Sequence, residues 1–98
     1  MFVVRNTFIA KPGQGSKLAS LMARVFADDP SYRVMTDFVS DFNTVVMEST
    51  HASMAEYEQV MADYASGNRK MDPALAEEFK SYTSMWKNGK REVFKIVK

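Results

Sequence analysis

The hydrophobic pattern changes period within the first 26 residues, from the two-residue alternation of a strand to the wider spacing of a helix. The stretch FVVRNTFIA, from Phe2 to Ala10, is rich in β-branched and aromatic residues and predicts a strand. The motif KPGQG interrupts it, because proline removes a backbone donor and glycine relaxes the backbone. From Ser16 the apolar residues recur every three or four positions, at Leu18, Leu21, Met22, Val25 and Phe26. The chain therefore begins with a strand and an amphipathic helix.

Two more strand-like runs, two helices and a last strand follow. The runs YRVMTDFVSD (32–41) and NTVVMESTH (43–51) predict a hairpin with a short turn between them. Ser53 and Glu56 match the S-x-x-E capping box of a helix that SGN ends, and Asp72 with Pro73 starts another. The apolar stripe of this third helix contains Leu75, Phe79, Tyr82 and Met85 or Trp86. The motif KNGK ends the third helix, and REVFKIV (91–97) predicts the last strand.

The predicted order is β-α-β-β-α-α-β, which is the ferredoxin-like split βαβ arrangement with one additional helix. A chain of 98 residues is too short for two stable cores, so we expect residues 1–98 to form a single domain. The expected fold class is α+β, with a four-stranded antiparallel sheet and the helices on one face. The other face of the sheet is then uncovered, and oligomerisation would stabilise a domain this small.

Alternation along each strand divides its side chains between the two sheet faces. We assign the more apolar set of three strands to the helix side: Phe2, Val4, Asn6 and Phe8; Val45, Met47, Ser49 and His51; Phe94 and Ile96. The open face then carries Val3, Ile9, Val46, Val93 and Val97 with Arg5, Thr7, Glu48 and Lys95. This mixture is too apolar for a solvent surface and too polar for a core. It predicts a homodimer that forms sheet to sheet through the open face.

Asn6 and His51, the one histidine of the sequence, are the candidate site residues. On the helix side they would be polar groups in a mostly apolar pocket, the usual composition of a small-ligand site. The imidazole could then move a proton near neutral pH. The alternatives are a buried amide bonded to local backbone for Asn6 and a strand-end residue bonded near the helix start for His51. The other residues expected at the pocket are Phe8, Met47, Tyr57, Met61 and Trp86. Tyr64 could line it too, although the helical spacing of Tyr57, Tyr64 and Trp86 favours a core position.

Composition disfavours several kinds of site and partner. The absence of cysteine rules out disulfides, thiolate metal sites and a cysteine nucleophile, and with one histidine we expect no metal. Thirteen basic against twelve acidic residues give a net charge of +1, which does not favour nucleic acid as a partner. FVVRN resembles the shorter motif of an RNA-recognition domain, but NTVVMES lacks the aromatic residue and glycine that the third strand needs. No apolar run is long enough to cross a membrane, so we expect a cytoplasmic protein.

Three segments together resemble the dimeric α+β barrel superfamily: KPGQGSKL before the first helix, ESTHASMAEYE after the third strand, and the ending GKREVFKIV. Within it the chain is most similar to NIPSNAP-like proteins, with antibiotic-biosynthesis-type monooxygenases as wider relatives. The resemblance implies a barrel of two facing sheets and a cleft between the sheet and helices of each subunit. The haem-degrading branch has an Asn on the first strand, which Asn6 matches. It also has a Trp where His51 stands and a His on the next helix, where Met61 or a neighbour stands, so haem degradation is not expected.

The resemblance implies a protein that binds a small, largely apolar or aromatic molecule in this cleft without a cofactor. A dimer with a purely structural role remains open. The catalytic alternative is a cofactor-free monooxygenase acting on a quinol or phenolic compound, whose own electrons reduce oxygen. In that enzyme Asn6 would donate a hydrogen bond and His51 would be the base.

Overall fold

The predicted order of strands and helices is confirmed in a computed structural model, which describes residues 1–67 and 71–98. The strands are β1 (Phe2–Ala10), β2 (Tyr32–Thr36), β3 (Thr44–His51) and β4 (Trp86–Lys95), and the helices are α1 (Gly15–Val25), α2 (Met54–Ser66) and α3 (Pro73–Phe79), followed by a 3₁₀ turn (Tyr82–Met85). The four strands form one antiparallel sheet in the order β2-β3-β1-β4. The α+β, ferredoxin-like fold class is therefore confirmed.

The helix starts of α2 and α3 follow the predicted capping chemistry. Ser53 Oγ accepts a hydrogen bond from the Glu56 amide at 3.1 Å, as the capping box predicts. Glu56 Oε2 accepts one at 3.2 Å from the amide of Ala52, one residue before the N-cap. Asp72 Oδ2 accepts from the amide of Leu75 at 3.2 Å, with proline next in the chain. Helix α2 ends at Gly67, whose φ of 75° is the left-handed conformation that glycine adopts without strain. Asn68, the last residue of the predicted SGN stop, lies outside the described residues.

Helix α1 provides the largest part of the core because its apolar stripe faces the sheet. The buried residues of this stripe are the predicted set, Leu18, Leu21, Met22, Val25 and Phe26. They form one cluster with Phe8 of β1 and Val45 and Met47 of β3. Burial of a leucine-sized side chain contributes about 1.5–3 kcal/mol, so this stripe anchors α1 on the sheet. Across residues 1–67 and 71–98, none of the helices has the length and apolar character that crossing a membrane requires.

The hairpin between β2 and β3 differs from the prediction, because β2 ends at Thr36 and not at Asp41. Asp37 ends the pairing: its amide donates to Thr44 O at 3.0 Å, and its Oδ1 accepts from the Thr44 amide at 3.0 Å. The predicted short turn is therefore a longer loop over 37–43. Phe42 in this loop has a φ of 72° and is 77% exposed. The apolar residues of DFVSDFN had predicted a strand, but in the loop they are exposed to solvent.

The last third of the chain contains less helix and more strand than predicted. Helix α3 ends at Phe79, and β4 begins at Trp86, which had been expected on the third helix. Trp86 pairs with Ala10 of β1, and its indole packs on Phe8 with ring centroids 5.3 Å apart. A Cβ on Gly89 would lie 3.0 Å from the Trp86 ring, so the glycine in KNGK makes room for the indole. The polar composition of KNGK suits β4 because an edge strand tolerates charge.

The face assignment is confirmed for β1 and β3 and wrong for β4. Val4 lies opposite Ser49 of β3 and opposite Val93 of β4, so Val93 faces the helices. Phe94 lies opposite Val3 on the open face, where the Arg5 guanidinium sits 5.1 Å from the centroid of its ring. Lys95 pairs with Phe2 on the helix side. Since β4 is an edge strand with few helix contacts, the number of apolar residues on each face does not reveal which face is inward.

Candidate functional site

A cavity of about 400 Å³ lies between the helix side of the sheet and helices α1, α2 and α3. Its size is within the 300–1,000 Å³ typical of small-molecule pockets. Most of its lining is aromatic or methionine, and the polar side chains are few. Of the residues expected from the sequence, it is lined by Asn6, Phe8, Met47, Tyr57 and Met61. The structure therefore brings residues from β1, β3 and α2 together around one space.

His51 and Trp86 do not line this cavity. His51 is only 2% exposed, and its Nε2 lies 2.7 Å from the Oγ of Ser49. The ring of Tyr57 covers it, with centroids 5.0 Å apart. Trp86 is instead on β4, as described above. The Trp86 indole and the His51 imidazole therefore pack behind residues that line the cavity.

Asn6 and His51 do not form the expected pair. Asn6 is opposite Met47 and His51 is opposite Phe2, so the two lie four positions apart along the strands, about 13 Å. Alternation correctly placed both on the helix side. It does not report position along the strand, which depends on register. Ser49, which lines the cavity, is the link between His51 and that space.

Arg91 is the site residue that the sequence interpretation missed. It lies directly opposite Asn6, lines the cavity, and its Nε donates to Asn6 Oδ1 at 2.7 Å. The missed signal was that Arg91 alternates with Val93 and Lys95, two residues that the reversed assignment of β4 had placed on the open face. Tyr64, which the sequence had suggested as a further lining residue, does line the cavity, and so do Phe26, Tyr32, Phe79 and Tyr82, which were not singled out as site residues.

The hydroxyl of Tyr57 is a buried polar group inside an apolar wall. The residue is 8% exposed, and no hydrogen-bond partner for its OH is found among residues 1–67 and 71–98. A buried hydroxyl without a partner costs about 1–3 kcal/mol. Tyr57 lines the cavity through other atoms, so a bound oxygen or nitrogen acceptor would satisfy this hydroxyl only after a shift of the ring. Within the same described residues, no cluster of three histidine or carboxylate side chains suitable for a metal ion occurs.

The opposite face of the sheet carries a second polar cluster, formed by Glu48 and two arginines. Glu48 is 5% exposed; its Oε2 accepts from Arg5 Nε at 2.6 Å and its Oε1 from Arg33 Nε at 2.9 Å. The hydrogen bond from Arg33 is the largest cause that holds the pKa of Glu48 below its ordinary value, and Arg5 adds to it. Around this cluster lie the half-buried apolar residues Val3, Ile9 and Val46.

Solved structures share this architecture at low sequence identity. A NIPSNAP family protein from Agrobacterium tumefaciens superposes with a TM-score of 0.74 over 95% of this chain and 82% of its own, at 9% identity. The fold is that of NIPSNAP and antibiotic biosynthesis monooxygenase-like proteins. A NIPSNAP domain protein from Burkholderia xenovorans matches with a TM-score of 0.70 over 99% of this chain and 95% of its own, at 12% identity.

A candidate antibiotic biosynthesis monooxygenase from Chloroflexus aurantiacus matches equally well, with a TM-score of 0.70, 13% identity, and coverage of 99% of this chain and 93% of its own. The sequence matches no protein-family model and no curated relative. At these identities the likeness establishes the fold, which the resemblance in the sequence had predicted. The chemistry of the cavity depends on this chain's own residues.

Proposed function

We propose that this protein binds a small, largely apolar molecule in the cavity between its sheet and helices. The observation that carries the proposal is a cavity of about 400 Å³ lined mostly by aromatic and methionine side chains, with polar side chains such as Asn6 and Arg91 among them. Methionines such as Met47 and Met61 suit such a role because their flexible, polarisable side chains adapt to apolar ligands.

Binding should also stabilise the fold. Atoms that line a cavity lose dispersion contacts, and a small domain has little stability to spare. A ligand that fills the space restores those contacts and binds only the folded state. Its binding therefore raises the unfolding temperature in a concentration-dependent way.

The proposal is tested by titrating 2-naphthol, a neutral bicyclic probe, into wild-type protein and two variants. Met61→Trp fills the cavity from α2, and Ala62→Trp adds the same bulk to the exposed neighbour on α2. We expect saturable binding by calorimetry and a raised unfolding temperature in wild type and Ala62→Trp, and neither in a folded Met61→Trp. Equal binding by both variants would place the probe elsewhere and contradict the proposal.

We further propose that the protein acts as a cytoplasmic homodimer, joined through the open sheet face. The half-buried valines and the exposed Phe94 and Met35 on that face support a partner surface. The arginine–glutamate cluster at its centre supplies polar contacts that fix the register of two sheets.

The second candidate function is cofactor-free oxygenation of a phenolic compound. The contact between Ser49 and His51 favours it, because Ser49 lines the cavity and its Oγ lies 2.7 Å from His51 Nε2. A substrate hydroxyl proton could pass through Ser49 to the buried imidazole. A substrate carbon bearing two hydrogens would then react with O₂: one oxygen atom forms a carbonyl, the other leaves as water with both hydrogens, and the substrate supplies all four electrons.

An oxygen electrode with anthrone as the probe tests this candidate. We expect protein-dependent oxygen uptake above the spontaneous rate, lost in His51→Gln and in Ser49→Ala while both variants stay folded and still bind 2-naphthol. The variant Glu56→Gln changes an exposed residue near the same junction and serves as the control. Uptake that is unaffected in His51→Gln would exclude the imidazole as the base.

A further inference from the structure

The polar side chains that line the cavity are an amide, an arginine and several hydroxyls, and the one formal charge among its described lining residues is positive. That charge belongs to Arg91. No aspartate or glutamate occurs in the described lining, and no salt bridge of Arg91 is found within residues 1–67 and 71–98. The acidic residue next to it in the chain, Glu92, faces the other side of the sheet, opposite Arg5.

The Arg91 guanidinium is held in place by a neutral group. Its Nε donates to Oδ1 of Asn6 at 2.7 Å, and Asn6 is 8% exposed and directly opposite it on β1. This bond leaves both terminal nitrogens of the guanidinium available as donors in one plane, the geometry that suits an oxyanion. It also leaves the Asn6 amide nitrogen as a second donor on the cavity wall. Arg91 itself is exposed, so these donors stand at the mouth and the aromatic wall lies behind them.

From this arrangement we infer that the ligand is an amphipathic organic anion, with a carboxylate or phenolate held by Arg91 and Asn6 and an aromatic or apolar body inside the cavity. The inference rests on the proposed binding function and narrows its ligand class. A neutral apolar molecule would fill the cavity but would not use the positive charge. A charge-assisted hydrogen bond is about twice as strong as a neutral one, so the anion should be preferred.

Two probes of the same shape separate charge from apolar filling: 2-naphthoate, an anion at neutral pH, and 2-naphthamide, its neutral counterpart. We expect wild type to bind naphthoate at least about tenfold more tightly than naphthamide by calorimetry. The variant Arg91→Gln should lose this preference and keep its affinity for naphthamide. The control Lys90→Gln removes the neighbouring positive charge from the opposite face of β4 and should keep the preference. Arg91→Lys retains the charge without the planar fork and should be intermediate.

A phenolate ligand is distinguished from a carboxylate ligand with 4-nitrophenol, whose ionisation is followed by its visible absorbance. A lowered pKa of the bound phenol in wild type but not in Arg91→Gln supports a phenolate site. Naphthoate preference without this pKa change supports a carboxylate site. Equal affinity for naphthoate and naphthamide in wild type, or an unchanged preference in Arg91→Gln, overturns the anion inference and leaves the apolar cavity proposal intact. If neither naphthalene probe binds, both proposals fail.

Discussion

The two faces of the sheet each contain a buried polar residue bonded to arginine, and they differ in how the charge is compensated. On the open face Glu48 compensates charge from Arg5 and Arg33 through close hydrogen bonds. On the helix side Arg91 has the neutral amide of Asn6 as its partner. The first cluster is satisfied within the chain, so it contributes to stability. The second holds a cation at the mouth of a cavity, where its effect should appear in ligand binding.

Removing the carboxylate of Glu48 should produce the largest effect on stability. Glu48→Gln leaves two arginines without a counter-charge beside a buried side chain, and we expect the free energy of unfolding to fall by about 2 kcal/mol. Arg91→Gln, the matched change on the other face, should lower it by less than about 1 kcal/mol, because Arg91 is exposed and a glutamine amide can still donate to Asn6 Oδ1. Urea unfolding of both variants measures the contrast. An equal loss of unfolding free energy in the two variants would contradict the proposal that the Glu48 cluster stabilises the fold while Arg91 serves ligand binding.

The pH dependence of stability also tests the role of the Glu48 charge. The pKa of Glu48 is lowered in the folded protein from its ordinary value of 4.5, so its stabilising contribution is complete above that value. It is lost as the pH falls through the lower, folded-state pKa. The difference in the free energy of unfolding between wild type and Glu48→Gln should therefore be constant near neutral pH and should disappear in acid.

The exposed pair of Arg24 and Glu78 provides a control for this pH dependence. Arg24 also lowers the pKa of Glu78, but both side chains are exposed, so solvent screens the interaction. Glu78→Gln should show a smaller change with pH than Glu48→Gln. A difference from wild type for Glu48→Gln that stays constant into acid would contradict the role given to its charge.

A charge placed on the open face should weaken the proposed dimer. Phe94→Glu puts a carboxylate on that face, and we expect the dimer dissociation constant to rise at least about tenfold, equivalent to about 1.4 kcal/mol. Val97→Glu introduces the same charge beyond the end of β4 and should have little effect. Light scattering after gel filtration over a concentration series measures both. A wild-type protein that stays monomeric at high concentration would refute the sheet-to-sheet prediction.

The smallest expected effect concerns the hydroxyl of Tyr57 on the helix side. Tyr57→Phe removes a buried group that lacks a partner among the described residues, so stability should be unchanged or higher by up to about 1 kcal/mol. Affinity for 2-naphthol should fall about threefold if the ligand hydroxyl bonds to this group. A clear loss of stability in this variant would mean that the hydroxyl already contributes to the fold.

The parts of the fold that were predictable from sequence depend on local chemistry. The capping residues Ser53 and Asp72 act on amides three positions away, so their patterns identify helix starts without tertiary context. The alternation in β1 and β3 correctly placed Asn6 and Met47 on the helix side, because both strands are central and one face is buried. Edge strands give no such contrast, which explains the reversed face assignment of β4.

The candidate site was predictable only in part, because local patterns give the face of a residue and not its neighbours on other strands. Asn6, Phe8, Met47, Tyr57 and Met61 were found because strand alternation and helix spacing point them towards one layer. The register between antiparallel strands then determined which of them meet. It placed His51 behind Ser49, and Arg91 beside Asn6 although 85 positions separate the two in the chain.

The sequence by itself determined the order of elements, the α1 stripe and the two helix caps, because each depends on residues within a few positions of one another. Only the tertiary structure decided the pairing of β4 with β1, and with it the face of Arg91 and the charge of the cavity mouth. A shift of one residue in that pairing would reverse every side chain of β4. No local pattern encodes such a choice, since it depends on the contacts along the whole length of both strands.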